Sequence, residues 1–258
     1  MNIRKEFDNL LDAVKKFDSG DFDSKVSIKF VRDYCFNLLE IDRQTNKKIG
    51  DYGATHIQNT SSSDKLSILT HCNTGSLATV GYGTALGVIR SIHQNGLIEQ
   101  VYCTETRPYN QGSRLTAWEL LTEEIPSTLI CDNMVALLMS TRKIDAVVVG
   151  ADRVAANGDT ANKIGTFQIA LLCKSVNVPF YVASPLSTID FSISDGSKIP
   201  IEERSSMEMK FVGNVQIAPT DMKCWNPAFD VTQHDYITGI ITEFGVVEPK
   251  DLISRFNK

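Results

Sequence analysis

The stretch LSILTHCNTGSLATVGYGTALGVIRSIHQNG, Leu66–Gly96, decides the fold. Its opening run, Leu66–Thr70, is short and apolar and reads as a buried strand. A polar turn, His71-Cys72-Asn73-Thr74-Gly75, follows it. Helical spacing is then expected over Thr79–His93, carrying Gly81, Gly83 and Gly87, and Asn95-Gly96 is a stop signal. Strand, turn and helix in that order form the first half of a βαβ unit.

Similar apolar runs recur at Ile98–Cys103, Thr128–Ile130, Ala146–Val149 and Phe180–Ala183. Candidate helices lie between them at Ser113–Glu123, Asn133–Ser140 and Asn162–Ser175. The alternation predicts an α/β fold: a mostly parallel, doubly wound, Rossmann-like sheet with helices on both faces. Upstream the pattern is helical, with Phe7, Leu10, Leu11, Val14 and Phe17 at helical spacing and Val31, Tyr34, Cys35, Leu38 and Leu39 repeating it. The polar stretch Asn59–Asp64 suits a linker. The expected division is a small helical N-terminal domain over 1–63 and a Rossmann-like domain over 64–258.

Composition narrows the function classes. The chain has 258 residues, a net charge of −5, 42% hydrophobic and 22% charged residues. That balance suits a soluble globular protein and gives no basic field for nucleic acid. No apolar run is long enough to span a membrane, and the charged, amphipathic start lacks an export signal's apolar core, so an intracellular protein is expected. The six cysteines form no Cys-x-x-Cys pair and there are four histidines, which argues for reduced thiols and against a metal cluster.

In an open α/β sheet, ligands bind beyond the carboxyl ends of the strands. Three strand-end segments stand out there. Cys72 sits between a strand and an expected helix start, where amides and the helix dipole can lower a thiol pKa. It reads as a reactive thiolate, a hydrogen-bonding acid, or a small buried residue at a tight turn. The segment Glu105–Arg114 gathers Arg107, Arg114 and a glycine-preceded helix start, suited to an anion. Arg107 could equally be held in an ion pair at the strand end. Asp152, after Ala146–Val149 and a Gly-Ala turn, should stand at the mouth of the sheet, where desolvation raises its pKa and fits it for proton transfer. A helix cap or a salt bridge to Arg153 is the competing reading. Asn162-Lys163 is expected to begin a helix, where Lys163 could hold a phosphate.

Four stretches together resemble the methylthioribose-1-phosphate isomerases, a branch of the initiation factor 2B alpha/beta/delta-like superfamily. They are LTHCNTGSLATVGYGTALGVIRS from Leu69 to Ser91, CTETRPYNQGSRLTAWEL from Cys103 to Leu120, VVVGADRVAANGDTANKIGT from Val147 to Thr166, and WNPAFDVTQHDYITGIITEFG from Trp225 to Gly245. A weaker echo lies in NKKIGDYGATH, Asn46–His56. No Arg-Gly-Ala-Pro-Ala-Ile-Gly-type loop, which contacts substrate in that family's longer N-terminal domain, precedes Leu66.

The resemblance implies an aldose–ketose isomerase, an intramolecular oxidoreductase of methionine salvage working on a small phosphorylated sugar without metal or organic cofactor. Carried over by motif, Cys72 and Asp152 would be catalytic, and Gln111, Asn162 and Lys163 would bind substrate, with Arg107 added from the same loop. Asp152 would protonate the ring oxygen as the ring opens, and Cys72 would assist transfer of hydrogen from C2 to C1, as a proton or as a hydride. The resemblance also implies a homodimer, cytoplasmic and possibly nuclear. The alternatives are a ribose-1,5-bisphosphate isomerase, or a shortened or divergent member acting as a ligand-sensing or dimerising scaffold without catalysis.

Overall fold

The computed structural model describes residues 3–17 and 24–257. Two helices, α1 (Ile3–Phe17) and α2 (Ser24–Thr60), precede the sheet-forming part of the chain. The strands are β1 (Leu66–Thr70), β2 (Ile98–Thr104), β3 (Ser127–Ile130), β4 (Ala146–Val149), β5 (Arg153–Ala155), β6 (Thr160–Lys163) and β7 (Phe180–Ala183). They continue with β8 (Ile189–Asp190), β9 (Phe211–Val212), β10 (Val215–Gln216), β11 (Phe229–Thr232), β12 (Gly239–Thr242) and β13 (Gly245–Val247). The remaining helices are α3 (Ala85–Gln94), α4 (Ala117–Thr122), α5 (Val135–Thr141), α6 (Thr166–Val176), α7 (Met207–Lys210) and α8 (Leu252–Phe256).

Seven strands form the main sheet in the order β13-β12-β7-β4-β1-β2-β3, parallel except where β13 returns antiparallel to β12. Its central strands are apolar without interruption because helices cover both faces. Successive residues serve opposite cores: Ile68 and Val148 pack with α2 and α3 on one side, Leu69, Val147 and Val149 with α5, α6 and α8 on the other. A second sheet, β11-β6-β5-β8, and the β9-β10 ribbon lie beside it in the topology.

The chain adds β2 and β3 on one side of β1, then returns to lay β4 on the other side. That reversal opens a crevice between the carboxyl ends of β1 and β4, where ligands enter folds of this kind. Cys72 follows β1 and Asp152 follows β4, so the topology directs both to the same crevice.

Several local expectations change. The first helix of the sheet region begins at Ala85 rather than Thr79, so Gly81 and Gly83 lie in a loop and only Gly87 is helical. The Thr79 hydroxyl accepts the Gly83 amide at 3.0 Å, the Thr74 carbonyl accepts the Thr84 amide at 2.9 Å, and Gly83 has φ +82. Those bonds fold 76–84 back on itself before a helix can start. Asn162 and Lys163 do not begin a helix; they end β6, paired with Asp230 and Phe229 of β11. Helix α6 starts only after Gly165, with the Asp230 carboxylate accepting the Gly165 and Phe167 amides at 2.7 and 3.1 Å. The expected boundary after residue 63 falls in the loop beyond α2, yet Ile49, Ala54 and Ile57 of α2 belong to the core under the sheet.

Candidate active site

A cavity of about 710 Å³ opens at the crevice. Cys72, Gln111, Asp152, Asn162 and Lys163 all line it, so five of the six residues singled out by sequence share one wall system. Arg107 is not among its walls. Its guanidinium donates to the carbonyls of Pro108 and Met209 at 2.7 and 3.1 Å, and among the described residues it has no carboxylate partner. Its backbone amide donates to Asp132 Oδ2 at 2.7 Å, which ties the loop to the end of β3.

Cys72 has φ +67, a conformation rarely taken by non-glycine residues, with a cost on the order of 1–3 kcal/mol. Two hydrogen bonds hold it: its amide donates to Thr106 Oγ1 at 2.9 Å, and its carbonyl accepts from the Thr116 hydroxyl at 2.5 Å. No helix of useful length begins behind it; residues 76–78 make a single tight turn and α3 starts at Ala85. Burial pushes the thiol up to about 11, with the Asp152 and Asp132 charges adding to the rise and Lys163 opposing it. The expected lowering by a helix dipole does not occur, and Cys72 is a protonated thiol at neutral pH.

Asp152 is raised above the ordinary carboxylate range because it is desolvated, with Lys163 pulling in the other direction. Its backbone amide donates to the Ala161 carbonyl at 2.9 Å, which fixes the residue against β6. Arg153, the alternative ion-pair partner, binds Asp190 at 3.2 Å instead. Lys163 stands at the end of β6 with its ammonium 4.5 Å from the Phe229 ring centroid, and among the described residues it has no carboxylate partner. Asn162, 4% exposed, donates its amide to Thr166 Oγ1 at 3.0 Å, which fixes its side chain against α6.

Two further wall atoms point to a polar ligand. Gln111 Oε1 and Thr74 Oγ1 are buried and have no hydrogen-bond partner among the described residues, although both residues line the cavity. An unsatisfied buried acceptor or hydroxyl costs about 1–3 kcal/mol unless something binds it. Sequence reading overlooked Thr74, and also Asp42 and Asn46, which α2 contributes to the wall. Asp42 Oδ2 accepts the Asn46 side-chain amide at 2.9 Å and the Val80 backbone amide at 3.0 Å, joining α2 to the 76–84 loop. Asp42 lies outside the quoted stretches and Asn46 only opens the weaker one, Asn46–His56, so the fold rather than a strong motif brings them to the wall.

That loop rests on a buried ion pair. Arg90 and Glu119, 5% and 2% exposed, meet at 2.6 Å, and Glu119 also accepts the Ser76 and Leu77 amides at 2.7 and 3.3 Å. Gly75 is required beside it, because a Cβ there would stand 2.3 Å from Glu119 Oε1. Among the described residues no group of three or more His, Cys, Asp or Glu side chains could hold a metal ion. The cavity wall itself presents two groups whose pKa values burial raises, Cys72 and Asp152, together with Lys163.

The Initiation factor 2 subunit family matches residues 1–249. A methylthioribose-1-phosphate isomerase of Nematostella vectensis is 58% identical over 215 residues, covering 83% of this chain; the chain spans 61% of that curated relative's length. Among solved structures, 5-methylthioribose 1-phosphate isomerase from Pyrococcus horikoshii OT3 superposes with a TM-score of 0.87 at 41% identity, over 95% of this chain and 68% of that one. The translation initiation factor eIF-2B, subunit delta, from A. fulgidus gives 0.83 at 43% identity, over 94% and 68%. The chain belongs to the initiation factor 2 subunit family, as a relative of its methylthioribose-1-phosphate isomerases.

Proposed function

We propose that this chain is an aldose–ketose isomerase converting 5-methylthioribose 1-phosphate to 5-methylthioribulose 1-phosphate, as the named relatives' descriptions suggest. One observation carries the reading: Cys72 and Asp152, whose pKa values burial raises, face one cavity beside the Lys163 ammonium, which has no carboxylate partner among the described residues.

Such a pair suits this substrate. The anomeric oxygen carries phosphate, so the ring cannot open to a free aldehyde, and opening needs an acid. In the proposed sequence the Asp152 carboxyl gives its proton to the ring oxygen as the C1–O bond breaks, leaving an electron-poor C1. Hydrogen then moves with its electron pair from C2 to C1, while the Asp152 carboxylate takes back the proton of the C2 hydroxyl as the ketone forms. Atoms and charge balance, and Asp152 ends as it began. The Cys72 thiol, a donor rather than a base at neutral pH, supports the shifting hydrogen through its dipole and by excluding water. Lys163, Asn162 and the unpaired Gln111 and Thr74 atoms hold the phosphate and hydroxyls.

The likeness to the eIF-2B delta structure supports a second reading, a non-catalytic subunit of that kind. The reading as an enzyme brings with it a homodimer in the cytoplasm and nucleus, which rests on resemblance alone. Substrate identity is tested by comparing kcat/KM for methylthioribose 1-phosphate and ribose 1,5-bisphosphate. A preference for the first supports the proposal, and a preference for the second transfers it to the bisphosphate enzyme.

A further inference from the structure

We propose that the side chains of Thr106, Thr104 and His71 form a one-way hydrogen-bond chain that positions Cys72, which makes Thr106 a positioning residue for the isomerase reaction. The inference rests on that reading for its kinetic part and on geometry for the rest.

Two residues in the left-handed region face one another here. Cys72 has φ +67 and Thr106 φ +61, and a β-branched residue tolerates that conformation poorly. They hold each other: the Cys72 amide donates to Thr106 Oγ1 at 2.9 Å, and the Thr106 amide is fixed by Asp132 Oδ1 at 2.8 Å.

The direction of the chain follows from its far end. His71 Nε2 lies 2.9 Å from the Ile164 carbonyl, which can only accept, so that nitrogen carries the proton. Complete burial keeps the ring neutral, and Nδ1 is therefore an acceptor. The contact at 2.5 Å then requires Thr104 Oγ1 to donate to it. With its proton committed, the Thr104 hydroxyl can only accept, and the Thr106 hydroxyl, 3.3 Å from both the Thr104 hydroxyl and the Thr104 carbonyl, shares its one proton between those two acceptors. Thr106 keeps its lone pairs for the Cys72 amide. The order is Cys72 amide to Thr106, Thr106 to Thr104, Thr104 to His71, and His71 to the carbonyl next to Lys163.

Water cannot replace a missing link. His71 is 1% exposed and Thr104 and Thr106 are fully buried, and a Cβ at Gly112 would stand 1.7 Å from the Thr104 carbonyl oxygen. Losing the Thr106 hydroxyl leaves a buried, unpaired amide at a strained residue, so the backbone relaxes and carries the thiol with it.

The test compares Thr106→Val, which keeps shape and loses the bond, with Thr106→Ser, which keeps the bond. The Val variant should lose at least about 30-fold in kcat with KM within about twofold, and the Ser variant should recover to within about threefold of the parent. Peptide-resolved alkylation of Cys72 by iodoacetamide reads the thiol's position without any turnover; its rate should change at least about fivefold in Val and stay near parental in Ser. A folded Val variant with parental kcat, with parental alkylation, or with KM shifted as much as kcat would overturn the proposal. If the parent does not isomerise the sugar, the isomerase reading fails while alkylation alone still decides positioning. Should Thr106→Val not fold, Thr104→Ala, which breaks the next link, takes its place with the same criteria.

Discussion

Asp152 and Arg153 are neighbours in the chain, yet Arg153 turns away to bind Asp190 at 3.2 Å and leaves the Asp152 carboxyl facing the cavity without a guanidinium. That separation keeps the acid's pKa raised. The rate at saturating substrate should hold at low pH and fall as pH rises through the Asp152 pKa, above the ordinary carboxylate range. The stability sign follows too. A folded pKa raised above the unfolded one makes stability fall as pH rises between them, and the loss persists above both. Asp152→Asn should therefore be inactive but more heat-stable than the parent at neutral pH; a lower Tm would contradict the buried-acid account.

Lys163 lowers both the Asp152 and the Cys72 pKa values through its charge. Lys163→Met should move the alkaline limb of the rate profile to higher pH, as well as raising KM through loss of the phosphate partner. A limb unmoved or moved to lower pH would show that Lys163 does not act on Asp152.

The Arg90–Glu119 pair holds the 75–77 turn that forms one wall of the site. Removing one partner of a buried pair leaves the other charge uncompensated, though Glu123 remains beside Arg90. Glu119→Gln should cost about 3 kcal/mol in urea unfolding, with a larger loss of substrate affinity than a distant destabilising variant of equal ΔΔG. Equal losses of affinity in the two would reduce Glu119 to a general stabiliser.

A protonated Cys72 thiol is a poor base, so the account favours a direct shift of hydrogen from C2 to C1. Turnover in deuterium oxide should leave C1 of the product free of solvent deuterium by NMR. Stoichiometric incorporation would require a base and an enolate-like intermediate instead.

Much of the fold is legible in the sequence because the central strands β4 and β7 are buried throughout and read as uninterrupted apolar runs, while β1, β2 and β3 keep enough apolar residues between their polar ones to be recognised. The strand-end rule then brings Cys72 and Asp152 to one crevice. The hairpin from Arg153 to Lys163 was less visible, since its strands are short and mixed, although Asn157-Gly158, with φ +90 at the glycine, is the turn signal that marks it. Missing it placed Asn162 and Lys163 on a helix. The groups that hold Cys72 sit in two separate stretches, His71 in Leu69–Ser91 and Thr104 and Thr106 in Cys103–Leu120, and nothing in either one shows that they bond to each other or to Asp132. Arg107 is the one candidate the cavity does not include, since a strand-end arginine has the same sequence appearance whether its guanidinium faces an anion or, as here, backbone carbonyls.

The most direct measurement is isomerase turnover of methylthioribose 1-phosphate by the purified chain, followed by NMR beside folded Cys72→Ser and Asp152→Asn variants. The account predicts that the parent forms the ketose phosphate and that each variant loses at least about 100-fold in kcat. A folded parent that forms no product, or variants as fast as the parent, would contradict it.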